Sequence, residues 1–168
     1  MLVLGLDPGS RHTGYGLIEA EGDRLRALAH GRITCTGKQP VPERLRRMSS
    51  GLSELLTRWT PEAVAMESLF HGINSRSLIV LAQARGALLS TAAATGVEIV
   101  EYSPAEVKSA VTGHGRADKE QVQRMVSMLL ALGAEKLSAD ASDALALAIC
   151  YAHRNRLDRL TRRLDATP

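Results

Sequence analysis

The sequence predicts an α/β domain built on a mixed sheet with helices on its faces. Three observations carry this. Three β-like runs come before any helical pattern, so the first strands form an antiparallel meander. Beyond residue 59, short apolar runs of strand length alternate with helical patterns, as in a sheet covered by helices. The chain has 168 residues, 45% of them hydrophobic. That suits one domain with its own core and excludes a disordered chain or a two-lobed ATPase.

Each element has a local reason. Residues 2–6 are an apolar run that ends at Asp7-Pro8-Gly9, a buried strand meeting a turn. Residues 13–20 and 24–35 are β-like, with Gly22-Asp23 as the hairpin break. In residues 42–59, Leu45, Met48, Leu52, Leu55 and Leu56 recur at helical spacing with arginines opposite, and Pro61 stops the helix. Residues 63–66 are a short strand leading to Glu67, and 68–75 form a polar loop. Residues 77–95 make a helix that is apolar almost all round. Such a helix needs cover on more than one side. The sheet supplies one cover; a second copy of the chain is expected to supply the other, making a homodimer. Residues 97–102 are a strand, and Ser103-Pro104 opens a helix that Gly113 and Gly115 break. Asp118 caps the next helix, which ends near Gly133, and residues 140–156 form the last.

Charge and cysteine usage narrow the function class. Lysine and arginine total 21 and aspartate and glutamate 18, a net charge of +3. Residues 24–47 hold seven basic side chains against the single Glu43, and Arg154, Arg156, Arg159, Arg162 and Arg163 crowd the end of the chain. Such local surfaces suit a polyanion, although a solvated charged face has the same composition. Cys35 and Cys150 form neither a disulfide framework nor a zinc spacing. The first apolar run is too short for a signal peptide, and Gln83 and Arg85 interrupt the longest one. A cytoplasmic location is expected.

The carboxylates carry the chemistry. Asp7 and Glu67 each stand at the end of a buried strand, and strand ends at one sheet edge lie close together. Asp140 and Asp143 are three residues apart in the first turn of the last helix and face one side. Taken singly, each fits a blander role: a turn, an exposed strand end, or an acidic helix start. Together, four clustered carboxylates need counter-charge. Two Mg²⁺ or Mn²⁺ ions, which favour hard oxygen ligands, would supply it and would suit in-line phosphodiester cleavage.

Several longer motifs then point to a family. The segment from Leu6 to Gly16, with Asp7-Pro8-Gly9-Ser10-Arg11 and Thr13-Gly14-Tyr15-Gly16, resembles the opening of the RuvC family of Holliday junction resolvases. Glu67-Ser68-Leu69-Phe70, with Asn74, Ser77 and Gln83-Ala84-Arg85-Gly86-Ala87, resembles its second motif. Tyr102-Ser103-Pro104, Val107-Lys108 and the run from Thr112 to Lys119 resemble its third, and Asp140 to Ala146 its last. They follow the family's order across residues 2–155. The resemblance implies a ribonuclease H-like fold with a five-stranded mixed sheet and helices on both faces. It implies a nuclease domain over residues 1–155; residues 156–168 match none of the motifs, and their arginines are read as a flexible basic tail that adds non-specific affinity. It implies a homodimer that binds a four-way DNA junction and makes paired symmetric nicks with 5′-phosphate and 3′-hydroxyl ends, in recombination and repair. RuvA and RuvB, the branch-migration proteins, are the partners it implies.

The same resemblance makes Asp7, Glu67, Asp140 and Asp143 the ligands of two Mg²⁺ or Mn²⁺ ions. Lys119 and Lys108 would stand beside the scissile phosphate, Arg116 would contact phosphate, and Phe70 would insert at the junction. Some relatives carry His where Asp140 stands. Many have a second aromatic or a Lys where His71-Gly72-Ile73 follows Phe70 here. His12 and His114 are read as polar loop residues. Three alternatives stay open. A YqgF-type nuclease would lack the Tyr-Ser-Pro and Thr-Gly-x-Gly-Arg segments, and an actin-like kinase would need a second lobe. An inert junction binder would have lost carboxylates.

Overall fold

The structure, a computed structural model, describes residues 1–36, 39–68, 75–133 and 137–165. Phe70 and the His71-Gly72-Ile73 segment lie outside the described residues. The elements run β1 (Leu2–Asp7), β2 (His12–Glu21), β3 (Arg24–Thr34), α1 (Val41–Trp59), β4 (Ala63–Glu67), α2 (Ser75–Ala93), β5 (Glu98–Tyr102), α3 (Pro104–Thr112), α4 (Lys119–Leu129) and α5 (Ala139–Asp165). The sheet order is β3-β2-β1-β4-β5. β1–β2 and β2–β3 pair antiparallel, while β1–β4 and β4–β5 pair parallel. This is the mixed five-stranded sheet that the element order predicts, with the ribonuclease H-like arrangement.

β1 is central and nearly wholly apolar because both of its faces are covered. Leu4 and Leu6 join Met48, Leu52, Leu88 and Ala92 in a core beneath α1 and α2. Val3 and Ile18 join Val107, Val126, Leu145 and Ile149 in a second core beneath α3, α4 and α5. The helix starts follow local chemistry. Ser103 and Asp118 each form a capping box, with Glu106 and Gln121. Pro104 occupies the first turn of α3 and Gly113 its left-handed C-cap.

Helix α5 lies unusually close to the sheet. A Cβ at Gly5 would fall inside the Ala144 carbonyl oxygen, and one at Gly14 inside that of Asp140. Only hydrogen at these positions lets the helix backbone rest on β1 and β2. α5 also runs on to Asp165, beyond the Arg156 at which the sequence pattern ends. No Gly or Pro interrupts 153–165, so the helix has no local signal to stop. Arg156, at the sequence-predicted end, pairs with Asp23 in the β2–β3 turn. α4 ends at Leu129, earlier than Gly133 suggests. Ala131, with a positive φ of 50°, already belongs to the turn.

Candidate active site

Strand direction gathers the carboxylates. β1 and β4 are parallel neighbours, so their C-terminal residues, Asp7 and Glu67, come to one sheet edge. Register then brings in α5. Asp7 stands opposite Gly14 on β2, and Gly14 opposite Arg32 on β3. The Asp140 backbone rests on the bare Cα of Gly14. Asp140 therefore sits over the row Asp7–Gly14–Arg32, and its Oδ2 pairs with Arg32 Nη1 at 3.6 Å. Asp143, one turn along, accepts a hydrogen bond from Lys119 Nζ at 2.8 Å. Lys119 holds the first position of α4, placed there by the Asp118 cap.

The electrostatics reflect this crowding. Burial, then the charges of Asp143, Glu67 and Asp140, push Asp7 up from the usual carboxylate value to about 7, and Lys119 only partly opposes them. Burial and then Asp143 also raise Glu67, against the pull of Arg85, Lys119 and Lys108. The hydrogen bond to Asp143 raises Lys119, keeping it a firm cation. A cleft of about 250 Å³ opens beside these groups. Glu67, Asp143, Lys108 and Lys119 supply its polar lining, with Val107, Val122 and Leu147 as its apolar wall.

The sequence-predicted residues thus fall into three sets. Asp7, Glu67, Asp140, Asp143 and Lys119 are electrostatically coupled at one edge, and Lys108 lines the adjoining cleft. Arg116 is exposed in the α3–α4 turn, its backbone N–H bonded to His114 Nδ1 at 3.1 Å. Phe70 is outside the described residues. His114 serves local bonding in its turn, whereas His12, expected in a loop, is the first residue of β2 and its Nδ1 meets Thr34 Oγ1 across the β2–β3 pair at 3.3 Å. Sequence reasoning missed Arg32 as the partner of Asp140, counting it only among basic residues. The signal lies in pairing register, which a charge count does not contain.

The oxygen-only donor set fits a hard divalent cation rather than zinc or copper. Among the described residues, no three carboxylate, imidazole or thiol groups converge closely enough to hold an ion as the side chains lie. Asp143 is bonded to Lys119 and Asp140 faces Arg32, so two of the four carboxylates already engage protein cations. Asp7 is raised first by burial and then by three neighbouring carboxylates, and among its neighbours only one lysine lowers it, so negative charge exceeds positive charge around it. A divalent cation at Asp7 would relieve that excess, so the residues present fit one.

The chain as a whole is similar to known proteins. Residues 3–151 match the family described as Crossover junction endodeoxyribonuclease RuvC. A relative of that name from Syntrophomonas wolfei is 46% identical over 157 residues, covering 94% of this chain and 91% of the relative. The solved RuvC structure from Thermus thermophilus superposes with a TM-score of 0.87 at 35% identity, covering 94% of this chain and 97% of that one. The T. thermophilus RuvC in complex with a Holliday junction substrate gives 0.86 at 33% identity, covering 94% and 96%.

Proposed function

The chain belongs to the RuvC family of crossover junction endodeoxyribonucleases, and from that membership we propose that it resolves four-way DNA junctions by nicking two strands of like polarity. The observation that carries the reading is the set of four carboxylates that strand direction, register and the close approach of α5 bring to one sheet edge, with Asp7 raised by burial and then by the other three. Asp7, Glu67, Asp140 and Asp143 would hold two Mg²⁺ or Mn²⁺ ions. When bound, such a pair supplies nucleophile activation and stabilisation of the leaving 3′ oxygen in an in-line displacement. The products would be ligatable 5′-phosphate and 3′-hydroxyl ends.

The chain's own residues do the rest. Lys119 orients Asp143 through its 2.8 Å bond and presents positive charge toward the cleft. Lys108 stands in the same cleft, where a phosphodiester would find both ammonium groups. Arg116 and the basic residues beyond 155 add phosphate affinity outside the site, and Phe70 is proposed to insert at the crossover. The outward face of α2 carries Ile79, Ala82, Gln83 and Gly86, with Ile79 60% exposed. Small residues beside an exposed isoleucine permit close approach of a second copy, so a homodimer is proposed there. Paired incision then follows from two sites on one junction. RuvA and RuvB are the proposed branch-migration partners and the cytoplasm the proposed location. Among the described residues, no helix is long and apolar enough to cross a membrane.

The test is strand cleavage of a synthetic four-way junction in Mg²⁺ and in Mn²⁺, with several crossover sequences and linear duplex as control. Paired, ligatable nicks confined to the junction are expected. Cutting of linear duplex as readily would move the substrate elsewhere, and tight junction binding without cutting would favour an inert binder. Lys119→Ala should slow the chemical step by about 100-fold or more, the cost of removing one preorganised charge beside a transition-state phosphate. Its metal-free junction binding should stay near wild type, measured by gel shift in EDTA. A parallel loss of binding would make Lys119 a docking contact instead.

A further inference from the structure

Arg85 is one of the few polar or charged side chains buried in the described part of the chain, at 5% exposure. It lies on the inward face of α2 beside Ala84, Leu88 and Ala92. A guanidinium in that setting stays charged and costs much desolvation, so its partners must be good ones. It has two. Nη2 pairs with Glu101 Oε1 on β5 at 2.5 Å, and Nη1 donates to the backbone carbonyl of Glu67. Arg85 therefore ties α2 to the ends of two adjacent strands. The sheet ladder closes just past this point, where the Ser68 N–H donates to the Tyr102 carbonyl at 2.8 Å.

The Glu67 carbonyl is the informative partner. Glu67 is the last residue of β4, and its carboxylate lines the cleft. A carbonyl at a strand end is less restrained by the ladder than one inside it. Fixing that peptide plane fixes the backbone from which the Cα–Cβ bond leaves, and with it the direction of the carboxylate. A planar, two-pronged donor can do this because Glu101 holds one prong and thereby sets the other on the carbonyl.

We propose that Arg85 is a positioning residue, using Glu101 as its anchor to hold the Glu67 backbone so that the carboxylate meets a divalent cation in the cleft. This rests on the reading of Glu67 as a metal ligand and deepens it. Groups that orient a ligand without touching the metal commonly cost about 10–100-fold in affinity or activity when removed.

The experiment uses the full chain as Arg85→Met, Arg85→Lys and Glu101→Gln. The primary readout is binding of Mn²⁺ alone to the DNA-free protein, followed by the electron paramagnetic resonance of the free ion. The others are single-turnover junction cleavage, junction binding in EDTA and thermal unfolding. Arg85→Met should weaken Mn²⁺ binding about 10-fold and slow cleavage about 10–100-fold, while binding to the junction in EDTA is nearly unchanged. Arg85→Lys, with one donor prong instead of two, should recover part of both losses. Unchanged Mn²⁺ binding in Arg85→Met overturns the proposal, whatever happens to cleavage or melting, because Arg85 would then be a strut or a DNA contact. If Arg85→Met fails to fold, Glu101→Gln decides. It keeps the buried cation and loosens only its anchor, so weaker Mn²⁺ binding supports the proposal and wild-type binding overturns it. A wild-type chain that binds Mn²⁺ but cuts no junction would overturn the assigned substrate, and the Mn²⁺ comparison would still decide the role of Arg85.

Discussion

Asp7→Asn is expected to abolish junction cleavage, to leave metal-free junction binding nearly intact, and to make the metal-free protein more stable at alkaline pH. The last effect follows from the titration of Asp7. Its ordinary value is 3.8, and in the folded chain it is pushed up to about 7, chiefly by burial and then by Asp143, Glu67 and Asp140. The folded state therefore binds the proton more tightly than the unfolded one. The stability this contributes is complete below 3.8 and is lost as pH rises through the window up to about 7. Above that window the wild-type chain keeps a buried anion among like charges. The displacement sets a ceiling of about 4 kcal/mol, and partial exposure lowers the realised value. Asparagine carries no charge, so the variant should melt several degrees higher than wild type near pH 8, with a smaller advantage near pH 5. Mg²⁺ or Mn²⁺ should raise the wild-type melting temperature more at the alkaline end and the variant's much less. Calorimetry across pH, with and without metal, checks this. An Asp7→Asn protein that melts lower than wild type at every pH would make Asp7 a structural residue.

Gly5→Ala should do nearly the opposite, costing both stability and activity without touching a charge. The added methyl would enter the Ala144 carbonyl oxygen and come within 3.0 Å of the Ala148 amide nitrogen. Both are backbone atoms of α5, so no side-chain rotation can make room. Overpacking of this kind costs about 1–3 kcal/mol and sometimes more, or roughly 2–12 °C for a chain of this size. The larger effect is on the site. α5 carries Asp140 and Asp143, and lifting it from β1 draws both away from Asp7. A displacement of about 1 Å can cost about 100-fold in rate. Cleavage measured well below the variant's melting temperature separates the two effects. A Gly5→Ala protein that melts low but cuts at the wild-type rate would show that the helix relaxes without moving the carboxylates.

Much of this was legible in the chain itself. The apolar run before Asp7, the helix starts at Ser103-Pro104 and Asp118 and the period of α1 are local signals, and they fall where the structure puts β1, α3, α4 and α1. The four carboxylates could be nominated because two end strands and two share a helix turn. The C-terminal half of α5 was harder. Its arginine-rich composition reads equally as a solvated helix or a loose basic segment, and the Arg156–Asp23 pair beside its start is non-local.

Local order along the chain sets the inventory: an α/β architecture, the order of its elements, and carboxylates at the ends of β1, β4 and the start of α5. These depend on hydrophobic period, caps and turn residues, which act over a few positions. Which charges meet is a property of the folded state alone. Arg32 reaches Asp140 because pairing register aligns Arg32, Gly14 and Asp7 across three strands. Arg85 reaches the Glu67 backbone because α2 packs against the ends of β4 and β5. The glycines at 5 and 14 matter because a helix backbone lies on them. Coulomb energy, hydrogen bonding and steric exclusion act through distance in space, and the folded chain sets those distances only when the sheet and its helices close on one another.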